Sequence, residues 1–176
     1  MLVFWRHGYE STSMTTLTTA MGMNAPSVYA AFGDKKSLFL KSLDLYVGDV
    51  EALRIFLKKS SSAREAIYEL LKASAIRFTG KETPRGCMLA SATASCSADS
   101  LDVQAVAAKK RSLIEEIIAQ RISRDIEIQL LPKSVSGPTL AAFTITVIQG
   151  MSVIARDGAS RKKLLSIAQT AMNGWT

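Results

Sequence analysis

The chain predicts an all-α fold: a three-helix head with a truncated first helix on a larger helical body, about nine helices in total. Three observations carry this expectation. Apolar residues recur with a 3.6-residue period along almost the whole chain, and no stretch sustains strand-like alternation. Glycine and proline fall where that period pauses, at Gly8, Gly22, Gly33, Gly80, Gly86, Gly137 and Gly158 and at Pro84, Pro132 and Pro138. Hydrophobic residues make up 48% of the 176 and charged residues 21%, which suits a packed core and argues against disorder.

Taken in order, residues 1–7 read as the end of a helix. Leu2, Phe4 and Trp5 are apolar, but less than two turns is too short to bury much. Either residues before Met1 are missing or the domain is truncated. Short helices are expected over 14–21 and 25–32. Longer ones follow over 35–58, 62–79, 86–95, 99–130, 138–157 and 160–174. The helix over 35–58 is expected to bridge head and body, with Leu38, Phe39, Leu43 and Tyr46 on the head and Leu53, Phe56 and Leu57 toward the body. Ser91 to Ser100 reads as a helix end and a cap.

Several classes are excluded. The longest apolar run, Leu140 to Ile154, is broken by Thr144, Thr146, Gln149 and Gly150, short of a membrane span. Arg6, His7 and Glu10 interrupt the N-terminus too early for a signal peptide, so a cytoplasmic protein with no membrane partner is expected. Cys87 and Cys96 have no metal or redox spacing, and one histidine leaves too few ligands for a metal. Both cysteines read as small buried hydrophobes. No Ser-His-Asp set, phosphate-cradling glycine loop or dinucleotide fingerprint is present, and His7 reads as a helix-end cap. No enzyme and no cofactor are expected. The net charge of +7 suits a polyanionic partner. Through residue 60, however, seven basic side chains stand against five acidic ones, so charge does not locate the contact surface.

Motif geometry does. In Ser13 to Phe32, Ser13 is the N-cap of a short helix whose inner face is Leu17, Ala20 and Met21. Gly22 ends that helix in the left-handed conformation and turns the chain. Asn24 caps the next helix, Pro26 sits in its first turn, and Val28 and Phe32 face inward. Two short helices, a glycine turn and buried Leu17, Met23 and Val28 make a helix-turn-helix. Its second helix offers a small-residue surface, Ala25, Ser27, Ala30 and Ala31, able to approach base edges in a major groove. Ser27 and Tyr29 offer hydroxyls to phosphates, which position without specifying. Lys35 follows the N-cap Asp34, where a cation opposes the helix dipole; a phosphate contact would explain it.

These residues resemble the N-terminal signature of the TetR/AcrR repressors. Gly8-Tyr9, Thr12-Ser13-Met14, Gly22-Met23, Ser27-Val28-Tyr29 and Phe32-Gly-Asp-Lys35-Lys-Ser-Leu38 match it in order and spacing over roughly the first quarter of the chain. Thr18 departs from the small apolar residue usual there. The resemblance implies a DNA-binding head over 1–44 and a regulatory, ligand-binding and dimerisation body over 45–176. It implies a repressor released from a palindromic operator by a small-molecule effector, with Thr15, Asn24, Ala25, Pro26, Ser27, Tyr29, Ala30 and Lys35 at the DNA. Later segments, Arg85-Gly-Cys-Met-Leu89, Val103-Gln104 and Gln149 to Ser160, look like one branch of that family and name no ligand.

The body is read for partners. The helix around Leu140 to Ile154 is apolar nearly all round and must be covered on two sides. With the seam of the last helix it could pair with its symmetry mates as a four-helix bundle, giving a homodimer through Phe143, Val147, Gly150, Met151, Ile154, Leu164, Ala168 and Met172. Burial within one chain is the alternative. Phe56, Tyr68, Phe78, Met88, Ser91, Ile114, Ile118 and Gln149 are the candidate lining of an effector pocket, or plain core. Arg111 and Arg121 read as solvated, with an inward turn to hold an anionic ligand as the alternative.

Overall fold

Local capping chemistry sets the helices of the computed structural model, which describes residues 1–91 and 97–175. The helices are α1 (Leu2–His7), α2 (Met14–Met21), α3 (Ala25–Phe32), α4 (Lys35–Val47), α5 (Val50–Lys59) and α6 (Ala63–Phe78). There follow a single turn α7 (Met88–Ser91), a 3₁₀ turn (Ala98–Ser100), α8 (Leu101–Glu127), α9 (Gly137–Arg156) and α10 (Arg161–Asn173). No strand occurs among the described residues. Ser13, Asn24, Asp34, Asp49, Ser62, Ser136 and Ser160 each accept a hydrogen bond from a backbone N–H two or three residues on, satisfying a donor that the first turn would leave open.

Three boundaries differ from the sequence expectation. The helix expected over 35–58 is two helices. Gly48 leaves α4 at φ 71° and ψ −159°, a conformation open only to glycine, and the Asp49 carboxylate starts α5 by accepting from Glu51 N–H at 2.8 Å. The apolar period runs through the break, which is why periodicity alone joined them. The helix expected from 99 begins instead as a 3₁₀ turn, and its end comes at Glu127 because Gln129 takes a left-handed φ of 63°. The helix expected over 86–95 starts only at Met88, since Gly86 has φ 77°; its last four positions, and Cys96, lie outside the described residues.

The chain divides into two compact units. The first comprises Met1–Gly48 and Cys87–Lys110; the second comprises Asp49–Gly86 and Arg111–Thr176. In the first, α1 packs on α2 and α7, α2 on α3, α3 on α4, and α4 on α7. Helix α1 buries more than its length suggests. Phe4 and Trp5 are fully enclosed, with Phe4 edge-on to Phe39 at 5.1 Å and Trp5 edge-on to Tyr46 at 4.8 Å between ring centroids. Two large aromatic rings compensate for a short helix. In the second unit α6 is central, packed by α5, α9 and α10 around Ile67, Leu71 and Phe78. A buried ion pair holds one corner of this unit. Arg121 pairs with Asp125 and donates from Nε to Leu57 O at 3.1 Å and from Nη2 to Ser60 O at 3.3 Å, closing the end of α5. Asp125 in turn accepts from Ala63 N–H at the start of α6. Arg121 is therefore not solvated as the sequence suggested; the carbonyls at the end of α5 and the Asp125 carboxylate draw it in.

Candidate nucleic-acid interface

The head is built from the turn outward. Ser13 Oγ accepts from Thr16 N–H at 3.0 Å and starts α2. At its end Gly22 is left-handed (φ 63°, ψ 28°), so its own N–H reaches Thr19 O and the next reaches Thr18 O, a closed helix end that reverses the chain. Asn24 Oδ1 then accepts from Ser27 N–H at 2.8 Å and starts α3 with Pro26 in its first turn, where no N–H is needed. Only Leu17 of α2 and Val28 of α3 are fully buried. Met21 and Met23, expected inside, are 36% and 37% exposed, and Ala20 is exposed too. Two-turn helices offer one inward row each, and Leu17 and Val28 fill it.

The outer row carries the predicted contact residues. Thr15, Asn24, Ala25, Pro26, Ser27, Tyr29 and Ala30 are all exposed, Tyr29 at 48%. Lys35 is the exception. It is half-buried, its Nζ lies 4.3 Å from the centroid of the Tyr9 ring, and it donates to Glu10 O at 3.4 Å. The expectation that Lys35 gains nothing locally is thus corrected, because the Tyr9 ring and a carbonyl receive its charge.

Sequence reading missed the ties that brace this head. The Glu10 carboxylate accepts from the N–H and Oγ of Ser97, each at 2.9 Å. Hydrogen bonds from Ser100 and Ser97 hold its pKa below the ordinary 4.5. Lys36 pairs with Asp102, and Lys110 with Asp44 at 2.5 Å. These partners are 66 to 87 residues apart, so no local period marks them. Cys87, expected buried, is partly exposed, and its sulfur accepts from Tyr46 Oη at 3.3 Å.

The remaining candidates separate. Of the proposed pocket residues, Phe78, Met88 and Ile118 are buried, Tyr68, Ser91 and Ile114 half-buried, and Phe56 and Gln149 exposed. Met88 and Ser91 belong to the first unit and the other six to the second. Tyr68 lines a cleft of about 310 Å³ with Ser62, Arg64, Glu65, Gln169 and Met172, and its Oη donates to Gln169 Oε1 at 2.7 Å. Of the proposed dimer residues, Met151, Leu164, Ala168 and Met172 are enclosed by their own chain. Both α9 and α10 pack on α6 and on each other, which leaves those four side chains enclosed within the unit. Phe143, Val147, Gly150 and Ile154 remain on the outer face of α9 with Val153, which is 57% exposed. This 20-residue helix is long and apolar enough to cross a membrane by length and composition alone, as an apolar core helix also is, and its threonines, glutamine and glycine interrupt it as the sequence indicated.

A capped, solvent-facing α3 set on α2 through a glycine turn defines the helix-turn-helix class. The family model described as bacterial regulatory proteins, tetR family, matches residues 1–41. The HTH-type transcriptional repressor ComR of Escherichia coli is 35% identical over 178 residues, spanning 99% of this chain and 84% of the relative. The HTH-type transcriptional repressor BdcR of Escherichia coli is 29% identical, spanning 97% and 82%. Among solved structures, a cysteine mutant of the TetR family transcriptional regulator CifR, complexed with a 26-bp double-strand operator DNA, superposes with a TM-score of 0.94 at 36% identity, covering 99% of this chain and 92% of that one. The chain belongs to the TetR family of bacterial regulatory proteins.

Proposed function

We propose that this protein is a transcriptional repressor that binds double-stranded operator DNA as a homodimer and is released by a small-molecule effector. The observation that carries the reading is α3. It is capped at both ends, anchored by Val28 with Phe32 half-buried, and turned to solvent over Ala25 to Ser27 and Tyr29 to Ala31, the arrangement a recognition helix needs to enter a major groove. The relatives named as repressors and the neighbour solved on operator DNA support it. Functionally the division at residue 44 separates DNA contact from regulation, and no catalytic role or cofactor is part of it. A cytoplasmic location goes with that role.

The homodimer forms through the outer face of α9, where Phe143, Val147, Val153 and Ile154 surround Gly150. Nothing lies within 4 Å of where a Gly150 Cβ would stand, so a second helix has room to approach closely. A symmetric dimer places two recognition helices on successive grooves about 34–36 Å apart, and an effector that prefers another spacing lowers DNA affinity by its difference in affinity between the two arrangements. The test is titration of the purified protein against a pool of randomised duplexes at two salt concentrations. Enrichment of a palindromic duplex, with affinity falling steeply as salt rises, is expected. Equal retention of every duplex would overturn the reading.

A further inference from the structure

The exposed surface of α3 is mostly apolar. Helical geometry places Pro26 and Ala30 opposite the buried Val28, flanked by Ser27 and Tyr29, with Ala25 and Ala31 nearer the Val28 side, and all six are exposed. The turn adds Met23, 37% exposed. Ser27 and Tyr29 supply the only side-chain polar atoms of α3, one hydroxyl each. The longer polar groups around it also have partners within the chain. Asn24 Oδ1 caps Ser27, Lys35 lies over Tyr9, Lys36 pairs with Asp102, and Lys41 lies 5.4 Å from the centroid of the Phe32 ring.

Base recognition in a major groove has distinct requirements. Guanine is read by a paired donor such as arginine or lysine, adenine by a carboxamide and cytosine by a carboxylate. Helix α3 offers none of these. Thymine alone presents a methyl group, which is read by apolar contact. Alanine and proline side chains, short and without polar atoms, let the helix approach closely enough to cover that methyl. We infer that the half-site of this protein is read through thymine 5-methyl groups facing Ala25, Pro26, Ala30 and Met23, with the hydroxyls of Ser27 and Tyr29 left to position the helix. The inference rests on the DNA-binding reading above and adds the chemical feature that is recognised.

The experiment selects duplexes from a randomised pool with the full-length protein, then resynthesises the recovered duplex with deoxyuridine replacing one thymidine at a time. Uracil pairs as thymine does and lacks only the methyl. At each position under α3, removal should weaken binding roughly fourfold, the effect of exposing about one methylene-sized group. The salt dependence should not change, because phosphate contacts are untouched. Restoring the methyl by 5-methylcytosine opposite guanine should recover part of the loss. Ala30→Gln, on an exposed position where folding is not at stake, should move the preference at one position toward adenine. The inference is overturned if the uracil duplexes bind as tightly as the parent, or if the recovered half-sites carry guanine–cytosine pairs under α3. Failure to recover any duplex would instead defeat the DNA-binding reading, and this inference with it.

Discussion

Lys35 and Asp125 show how one side chain can be committed twice. The Lys35 ammonium rests on the Tyr9 ring and donates to Glu10 O, so it helps hold the α1–α2 turn whatever it does at DNA. Lys35→Ala should therefore lower stability by about 0.5–2 kcal/mol as well as weaken DNA binding, whereas Lys35→Arg should spare most of the stability. Urea denaturation of the three proteins checks this, and an unchanged midpoint for the alanine variant would remove the bracing role. Asp125 both neutralises Arg121 and accepts from the first N–H of α6. Burial, and then the charge of Arg124, already lower the Arg121 pKa. Asp125→Ala should destabilise by about 3–5 kcal/mol, because it strands a buried cation, and changing both residues to Asp125→Leu with Arg121→Met should recover most of that. Thermal unfolding of the single and double variants gives the comparison.

At the scale of the element, caps and glycines decide where helices begin and end. Gly48 occupies a backbone region that a Cβ makes costly, while open space surrounds it. Gly48→Ala should destabilise by about 1–3 kcal/mol through strain alone, measurable by chemical denaturation. The break also alters how a signal would travel. A continuous α4–α5 rod is not what joins these residues, because the chain turns at Gly48. The head was legible in the sequence because Ser13, Gly22 and Asn24 act on neighbours within four residues. The Gly48-Asp49 pair was equally local, a glycine stop followed by a cap, but the continuing apolar period overrode it. The carboxylates that cap or clamp turns give a pH signature. Asp34 is held below its ordinary 3.8 by the backbone N–H of Ser37, then by its hydroxyl. Glu65 is held below 4.5 by the hydroxyl and then the N–H of Ser61. A lowered folded pKa stabilises the fold above the unfolded value and loses that contribution as pH falls through the folded one. The melting temperature should accordingly be level above about pH 5 and decline below pH 4. Glu65→Gln together with Asp34→Asn should flatten part of that decline.

For the whole molecule, the outer face of α9 is the decisive surface. A Cβ added at Gly150 meets no side chain and no other element of its own chain within 4 Å. Helix propensity should even favour Gly150→Leu by about 0.8–1 kcal/mol within a single protomer. If α9 meets a second copy across Gly150, the same change should convert the dimer to monomers, with helical content intact. Light scattering gives the mass and circular dichroism the fold; a dimer of unchanged mass would place the interface elsewhere. The sequence recognised α9 and α10 as apolar, but it assigned Leu164, Ala168 and Met172 to the interface, and they are enclosed instead where α10 packs on α6 and α9. Periodicity says that a helix has an apolar face and leaves open which neighbour covers it.

The sequence by itself determined the helical class, most helix ends and the exposed α3, because capping, glycine turns and the 3.6-residue period act over a few residues. Only the tertiary structure decided the side of each helix that is enclosed, the inward turn of Arg121, the seat of Lys35 on Tyr9, and the joining of residues 87–110 to the unit that holds the head. Those outcomes depend on groups brought together from 26 to more than 60 positions apart, where burial and charge pairing are set by which surfaces meet and not by any pattern along the chain.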